Sequence, residues 1–163
     1  MGRPQLHERA HPVQVFDDLL RAQAARLRDR LAEADGAGLA AIQVGLLQRM
    51  FAFRLSPEDE IDVFVNPRIT AASHERVTFV EGCLSFNTVA VAVQRPAVVR
   101  VTAQDLHGRP RAIECDGFGA SLLQHEIDHL DGILTLDRAE RTERHRAITA
   151  LLAHDDSPIA LAA

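Results

Sequence analysis

The spacing His125-Glu126-Ile127-Asp128-His129 constrains this chain more than any other stretch. In a helix, positions four apart lie one turn apart on one face, so both imidazoles reach a single metal ion. Glu126 then stands beside them, close enough to act as general base and acid on a metal-bound water without completing the coordination shell. A catalytic site of this kind takes three protein ligands and leaves a position open, so a further ligand must come from elsewhere in the chain. Without one, the same residues read as a solvated polar helix.

At 163 residues the chain suits one domain, 1–163, with room for a core that needs no disulfide staples. Two Cys make no disulfide framework, and no charged-then-apolar leader precedes the rest, so a reducing cytoplasm is the expected location. The longest apolar runs, such as Val89-Ala90-Val91-Ala92-Val93, are far too short to span a bilayer, and no membrane association is expected. A formal charge of -5 argues against nucleic-acid binding. All eighteen basic residues are Arg.

Residues 1–12 read as a polar lead-in. From Val13 a helical stripe of Phe16, Leu19, Leu20, Ala24, Leu27, Leu31 and Ala34 predicts an amphipathic helix ended by Gly36. Residues 36–45 are densely small, which permits close backbone approach to a ligand or a strand, and Gln43 alone has polar reach there. The Gly36-x-Gly38 lacks the third Gly of a dinucleotide fingerprint, follows a helix instead of a strand and has no Lys-Ser/Thr ending, so it is not a phosphate loop, and a tight structural turn explains it equally. Strands are expected over 49–55, 61–66 and 69–80, broken at 56–59 and at Asn66-Pro67.

Glu81-Gly82-Cys83-Leu84-Ser85 follows. A thiolate presented at a strand end is a soft ligand for zinc or ferrous iron, although a lone Cys is also commonly a small buried hydrophobe, which is the reading for Cys115. Residues 89–104 read as two strands or one strand bent at Arg95-Pro96, with a turn at 106–110 and a returning strand at 111–115. Asp116 to Gly119 opens the ligand-bearing helix, anchored by Leu122, Ile127 and Leu130 and capped by Gly132. After a short apolar segment at 133–136, a second amphipathic helix runs from Arg138 through Ile148, Leu151 and Leu152, leaving 155–163 as a mobile tail. The fold class expected is α+β: antiparallel β-sheets packed around a central metal-ligand helix, with amphipathic helices near both ends.

Three segments carry compositions that no structural need explains: Gly36-Ala37-Gly38-Leu39-Ala40-Ala41-Ile42-Gln43, Glu81-Gly82-Cys83-Leu84-Ser85 and Gln124-His125-Glu126-Ile127-Asp128-His129-Leu130-Asp131-Gly132. In that order they resemble the three signature motifs of the peptide deformylases, and residues 6–13 resemble that family's lead-in. The resemblance implies a hydrolase that removes the formyl group from N-formylmethionyl peptides of nascent proteins and releases formate. It implies Cys83, His125 and His129 as ligands of one ferrous ion, with zinc or nickel as replacements, and Glu126 as general base and acid. Gln43 and the backbone N–H of Leu84 would stabilise the oxyanion. Ala37, Gly38, Glu81, Gly82, Ser121 and Leu122 would border the substrate, with Ser121 and Leu122 near Ala37 facing the methionine side chain. Glu81 and Arg95 would pair beside the site. The partners implied are the formylated peptide and, transiently, the ribosome, for a monomer with no nucleic-acid or membrane contact.

The chain departs from the family pattern at Phe86-Asn87, where an aliphatic residue and Pro are usual, and at 89–92, which lacks the Gly, Tyr or Arg that often face the peptide. The lead-in before Leu6 is also short. These changes leave room for a specialised formamidase acting on a small-molecule or atypical formyl substrate. A zinc peptidase is the other alternative, but its metzincin form needs His where Thr135 stands, and its thermolysin form needs a downstream Glu where only Glu140 and Glu143 are available, on a segment read as surface.

Overall fold

A computed structural model of the chain describes residues 7–34, 36–83 and 89–153. Leu84, Phe86, Asn87, Leu6 and the tail expected at 155–163 lie outside the described residues.

Helix α1 spans Asp18–Glu33 and starts where the Asp17 carboxylate accepts the Leu20 amide at 2.9 Å. The expected start at Val13 is therefore corrected. So is the place of Leu19: it lies one residue's rotation, roughly 100°, from the buried Leu20, Ala24, Leu27 and Leu31, and is 63% exposed. Phe16 still packs against the same cluster from the lead-in.

The strands are β1 (Gly38–Ala40), β2 (Met50–Phe53), β3 (Asp62–Ala72), β4 (Arg76–Glu81), β5 (Val91–Pro96), β6 (Val98–Gln104) and β7 (Pro110–Asp116). A five-stranded sheet has the order β1-β2-β3-β6-β7, and among the described residues β4 pairs only with β5; every pairing between these strands is antiparallel. The small-residue stretch supplies the edge strand β1 and a 3-10 turn at Ala41–Val44.

The break expected at Asn66-Pro67 does not end a strand. Asn66 takes φ +53°, its side chain bonds the Val13 amide and carbonyl at 2.8 and 2.9 Å, and the pairing with β6 shifts register there. A bulge accommodates both the left-handed Asn and a Pro that has no N–H to give. The single strand expected over 69–80 is instead cut at 73–75, where Ser73 Oγ bonds the Glu75 carbonyl at 2.9 Å, and the chain leaves the large sheet for the small one. Residues 89–104 likewise form two strands that belong to different sheets.

Helix α2 (Gly117–Leu130) packs against β1, β6 and β7 of the large sheet and β5 of the small one. The C-terminal helix expected from Arg138 is two helices, α3 (Thr135–Arg138) and α4 (Arg141–Ala153). Ala139 is extended and buried, and Arg144 donates to the Leu136 and Asp137 carbonyls at 2.6 and 2.7 Å, satisfying the end of α3 from the next helix.

Alternate residues of the large sheet serve two cores. Phe51, Phe53 and Phe64 meet α2 through Leu123, Ile127 and Leu130, their rings 4.8–5.9 Å apart. Met50, Ala52, Val63 and Val65 meet the α1 stripe on the other face. Each fully buried Leu in these clusters contributes about 2 kcal/mol. A third cluster joins β5 to α4 through Val91, Val93, Ala139 and Ala147. Among the described residues no helix is long and apolar enough to cross a membrane.

Candidate active site

Every residue of α2 from Ala120 to Leu130 is buried, including Ser121, Gln124, His125, Glu126, Asp128 and His129. Polar groups in such a place must find partners or a ligand. Here most find them in one connected cluster, which the helix carries on successive turns.

The His125 and His129 rings meet edge to face, centroids 4.7 Å apart, with their Nε2 atoms 3.1 Å apart. Cys83, just beyond the end of β4, brings its Sγ to 3.2 Å from His129 Nε2. The three donor atoms lie within 4.8 Å of one another. Of the two readings of Cys83, the thiol is indeed buried, but it is turned to two imidazoles instead of apolar neighbours. Cys115 packs against the aromatic core, but it is half-buried and not the fully buried small hydrophobe expected.

Burial would raise the Cys83 thiol, but hydrogen bonds from His125 and His129 outweigh it and hold the thiol well below its usual range. Burial likewise works against charge on His125, yet Cys83 and Glu81 hold its proton and lift it to about 10. The thiol and the imidazole thus each favour the charged form of the other. A divalent cation would take the proton's place, and a thiolate with two imidazoles suits a soft or borderline ion that retains an open position. Two buried polar atoms without a protein partner, Glu126 Oε2 and His129 Nδ1, belong to the same cluster.

Behind His125 the support is dense. Glu81 Oε2 lies 3.0 Å from His125 Nδ1, while Arg95 donates to both Glu81 oxygens at 2.5 and 2.9 Å and Ser121 Oγ donates to Oε1 at 2.8 Å. Burial alone would raise Glu81; the Arg95 and His125 contacts overcome it and hold the carboxyl down to about 2. Arg95 also donates to Asp128 at 2.8 Å, and Arg138 of α3 grips the same Asp128 at 2.9 and 2.5 Å. Thr135 Oγ1 lies 3.5 Å from His125 Nδ1, so position 135 does reach the site, carrying a hydroxyl.

Glu126 is 2% exposed. Burial, with the nearby Cys83 and Glu81 charges, pushes its carboxyl up to about 7 against the pull of the two imidazoles. A carboxyl near neutrality is suited to taking and returning a proton. Gln43 is oriented by its own backbone: Oε1 accepts the Ala40 amide at 2.7 Å, which turns Nε2 toward Cys83 Sγ at 3.8 Å and leaves the amide N–H₂ aimed at the ligand cluster.

These groups open on a cavity of about 490 Å³ lined by Ala37, Gly38, Gln43, Phe79, Glu81, Gly82, Cys83, Phe118, Ser121, Leu122, His125 and Glu126. Of the site residues expected from sequence, Leu84 lies outside the described residues and Arg95 stands behind the wall; the cavity brings the others together, with His129 buried beneath. Phe79 and Phe118 escaped the sequence reading, though each carried a signal. Phe79 shares a strand face with Glu81, and Phe118 shares a helix face with Ser121 and Leu122. Asp128 and Arg138 were missed because nothing in their spacing distinguishes a buried bridge from surface charge.

A family model described as polypeptide deformylase matches residues 1–145. A peptide deformylase from Brucella suis biovar 1 is 44% identical over 148 residues, 89% of this chain and 85% of that protein. A crystal structure of a peptide deformylase from Legionella pneumophila aligns with a TM-score of 0.86 at 36% identity, covering 93% of this chain and 89% of that one. Another from Synechococcus elongatus, in complex with actinonin, aligns with a TM-score of 0.86 at 38% identity over 91% of this chain and 83% of that one.

Proposed function

The chain belongs to the polypeptide deformylase family, and from that premise we propose how its residues hydrolyse the N-formyl amide of a peptide to formate and a free amine. Cys83, His125 and His129 would hold one divalent ion, which we assign as ferrous iron with zinc or nickel as substitutes. Such an ion supplies Lewis acidity, polarising the formyl oxygen and acidifying water.

Glu126 accepts the proton released by the attacking water and delivers it to the amine nitrogen as the C–N bond breaks, so water is consumed and its second proton leaves with formate ionisation. The Gln43 amide donates to the oxygen that gains charge. Glu81 keeps a proton on His125 Nδ1, leaving Nε2 free to ligate. Phe79, Phe118 and Leu122 offer an apolar lining suited to a methionine side chain, while Ala37, Gly38 and Gly82 leave backbone accessible to an extended peptide.

The observation that carries this reading is the convergence of a thiolate and two imidazoles beside a buried carboxylate with an unpartnered oxygen. A zinc peptidase fits less well: Glu143, one of its candidate ligands, is paired with Arg146 on α4 at 2.9 Å. The test is formate release from formyl-Met-Ala-Ser by protein loaded with ferrous iron without oxygen, beside a panel of small formamides. Release from the peptide is expected; no release from any formyl-peptide overturns the reading.

A further inference from the structure

Ser121 and His125 sit one turn apart on α2 and hold opposite oxygens of one carboxylate: Ser121 Oγ donates to Glu81 Oε1 at 2.8 Å, and His125 Nδ1 lies 3.0 Å from Oε2. We propose that Ser121 is a positioning residue of the metal site, fixing Glu81 so that Glu81 fixes the tautomer and ring plane of His125, and is not a reader of the substrate's side chain. This inference rests on the metal-site reading above.

Serine has one proton to donate, and here it is spent on Glu81. Methionine's thioether and methylenes offer no donor for the lone pairs that remain, so the hydroxyl has no work to do toward that side chain. Toward Glu81 its work is specific. Arg95 grips the carboxylate with a fork, but Arg95 lies on β5 and Glu81 on β4, so that pair fixes the carboxylate in the frame of the two-stranded sheet. His125 belongs to α2. Arg95 reaches α2 through Asp128, at the end of a long side chain. Ser121 makes the short link, tying the carboxylate to the helix that carries the ligand, one turn from that ligand. Without it Arg95 still holds the carboxylate in the frame of the small sheet, but the short tie to α2 is gone, and the carboxylate can shift with that sheet relative to the helix and draw Oε2 away from Nδ1. Ligand-orienting partners of this kind typically change metal affinity by about 10- to 100-fold.

The experiment strips the protein of metal and titrates it with Co²⁺ against a competing chelator, following the thiolate-to-cobalt absorption that reports Cys83 as a ligand. Ser121→Ala is expected to bind cobalt roughly tenfold more weakly. Ser121→Thr, which keeps the hydroxyl, should restore affinity to near that of the wild type, and preference among formyl-Met, formyl-norleucine and formyl-Leu peptides should not change in either. Unchanged cobalt affinity in Ser121→Ala overturns the proposal, as does a loss that Ser121→Thr fails to restore, or a changed substrate preference with affinity intact. A wild-type protein lacking the absorption would instead overturn the metal-site reading itself, so the two failures are distinct.

Discussion

Gly38 and Glu126 approach so closely that a methyl group on Gly38 would collide with the Glu126 carboxylate oxygen and lie 2.8 Å from Leu122 Cδ1. The edge strand thus presses on the proton-carrying group, and the absence of a side chain at 38 is what lets that carboxylate sit over the ligand cluster.

Gly38→Ala should therefore displace Glu126 or push β1 off α2. Misplacement of a reacting group by about 1 Å costs on the order of a hundredfold in rate. The expected result is a kcat lowered by about that factor with metal content unchanged, since the atoms a methyl group would meet first belong to Glu126 and Leu122 and not to a ligand. Activity within a few-fold of wild type would show that the carboxylate has room to spare.

The acid limb of the pH–rate profile should belong to Glu126. The group must be ionised to accept a proton, so activity falls as pH drops through its pKa; burial raises that value from 4.5 to about 7, and a bound cation draws it back down between the two. Glu126→Gln should lower kcat by roughly 10²–10⁴ and keep its metal. A wild-type profile flat from pH 7 to 4.5 would assign the proton transfer elsewhere.

Peroxide should inactivate the enzyme through Cys83. The thiolate character at this position favours oxidation, whereas burial and the Asp116 charge push Cys115 up and leave it a thiol. Cys115→Ser should lose activity under peroxide at the wild-type rate, and Cys83→Ala should lose the metal outright. Equal protection by Cys115→Ser would contradict this.

Glu81 should contribute pH-dependent stability to the metal-free protein. Its folded pKa, about 2, lies below its ordinary 4.5, so the contribution is fully present above 4.5 and disappears as pH falls toward 2; the difference corresponds to roughly 3 kcal/mol. Urea midpoints of wild type and Glu81→Gln should therefore converge across that window, and parallel curves would refute it.

Legibility in the sequence followed the range over which each feature is determined. His125 and His129 could be read because their juxtaposition needs only one helical turn, and the class of fold followed from where periodicity changed. Asn66-Pro67 could not, since what holds Asn66 in its left-handed conformation is Val13, 53 positions away. Leu19 was misassigned because a hydrophobic residue next to a stripe looks like part of it until the first turn is set by Asp17. Within the site, the pairing of Glu81 with Arg95 was foreseen, but its extension through Asp128 to Arg138 joins three elements whose packing no local pattern encodes.

The alternation along β2, Phe51 and Phe53 toward α2 and Met50 and Ala52 toward α1, makes the large sheet a bulkhead between the chemistry and one whole side of the molecule. Labels, surface immobilisation or a fused partner attached at Ala22, Arg26 or Asp29, exposed on the far side of α1, would hang from the protein with the sheet between them and the ligands.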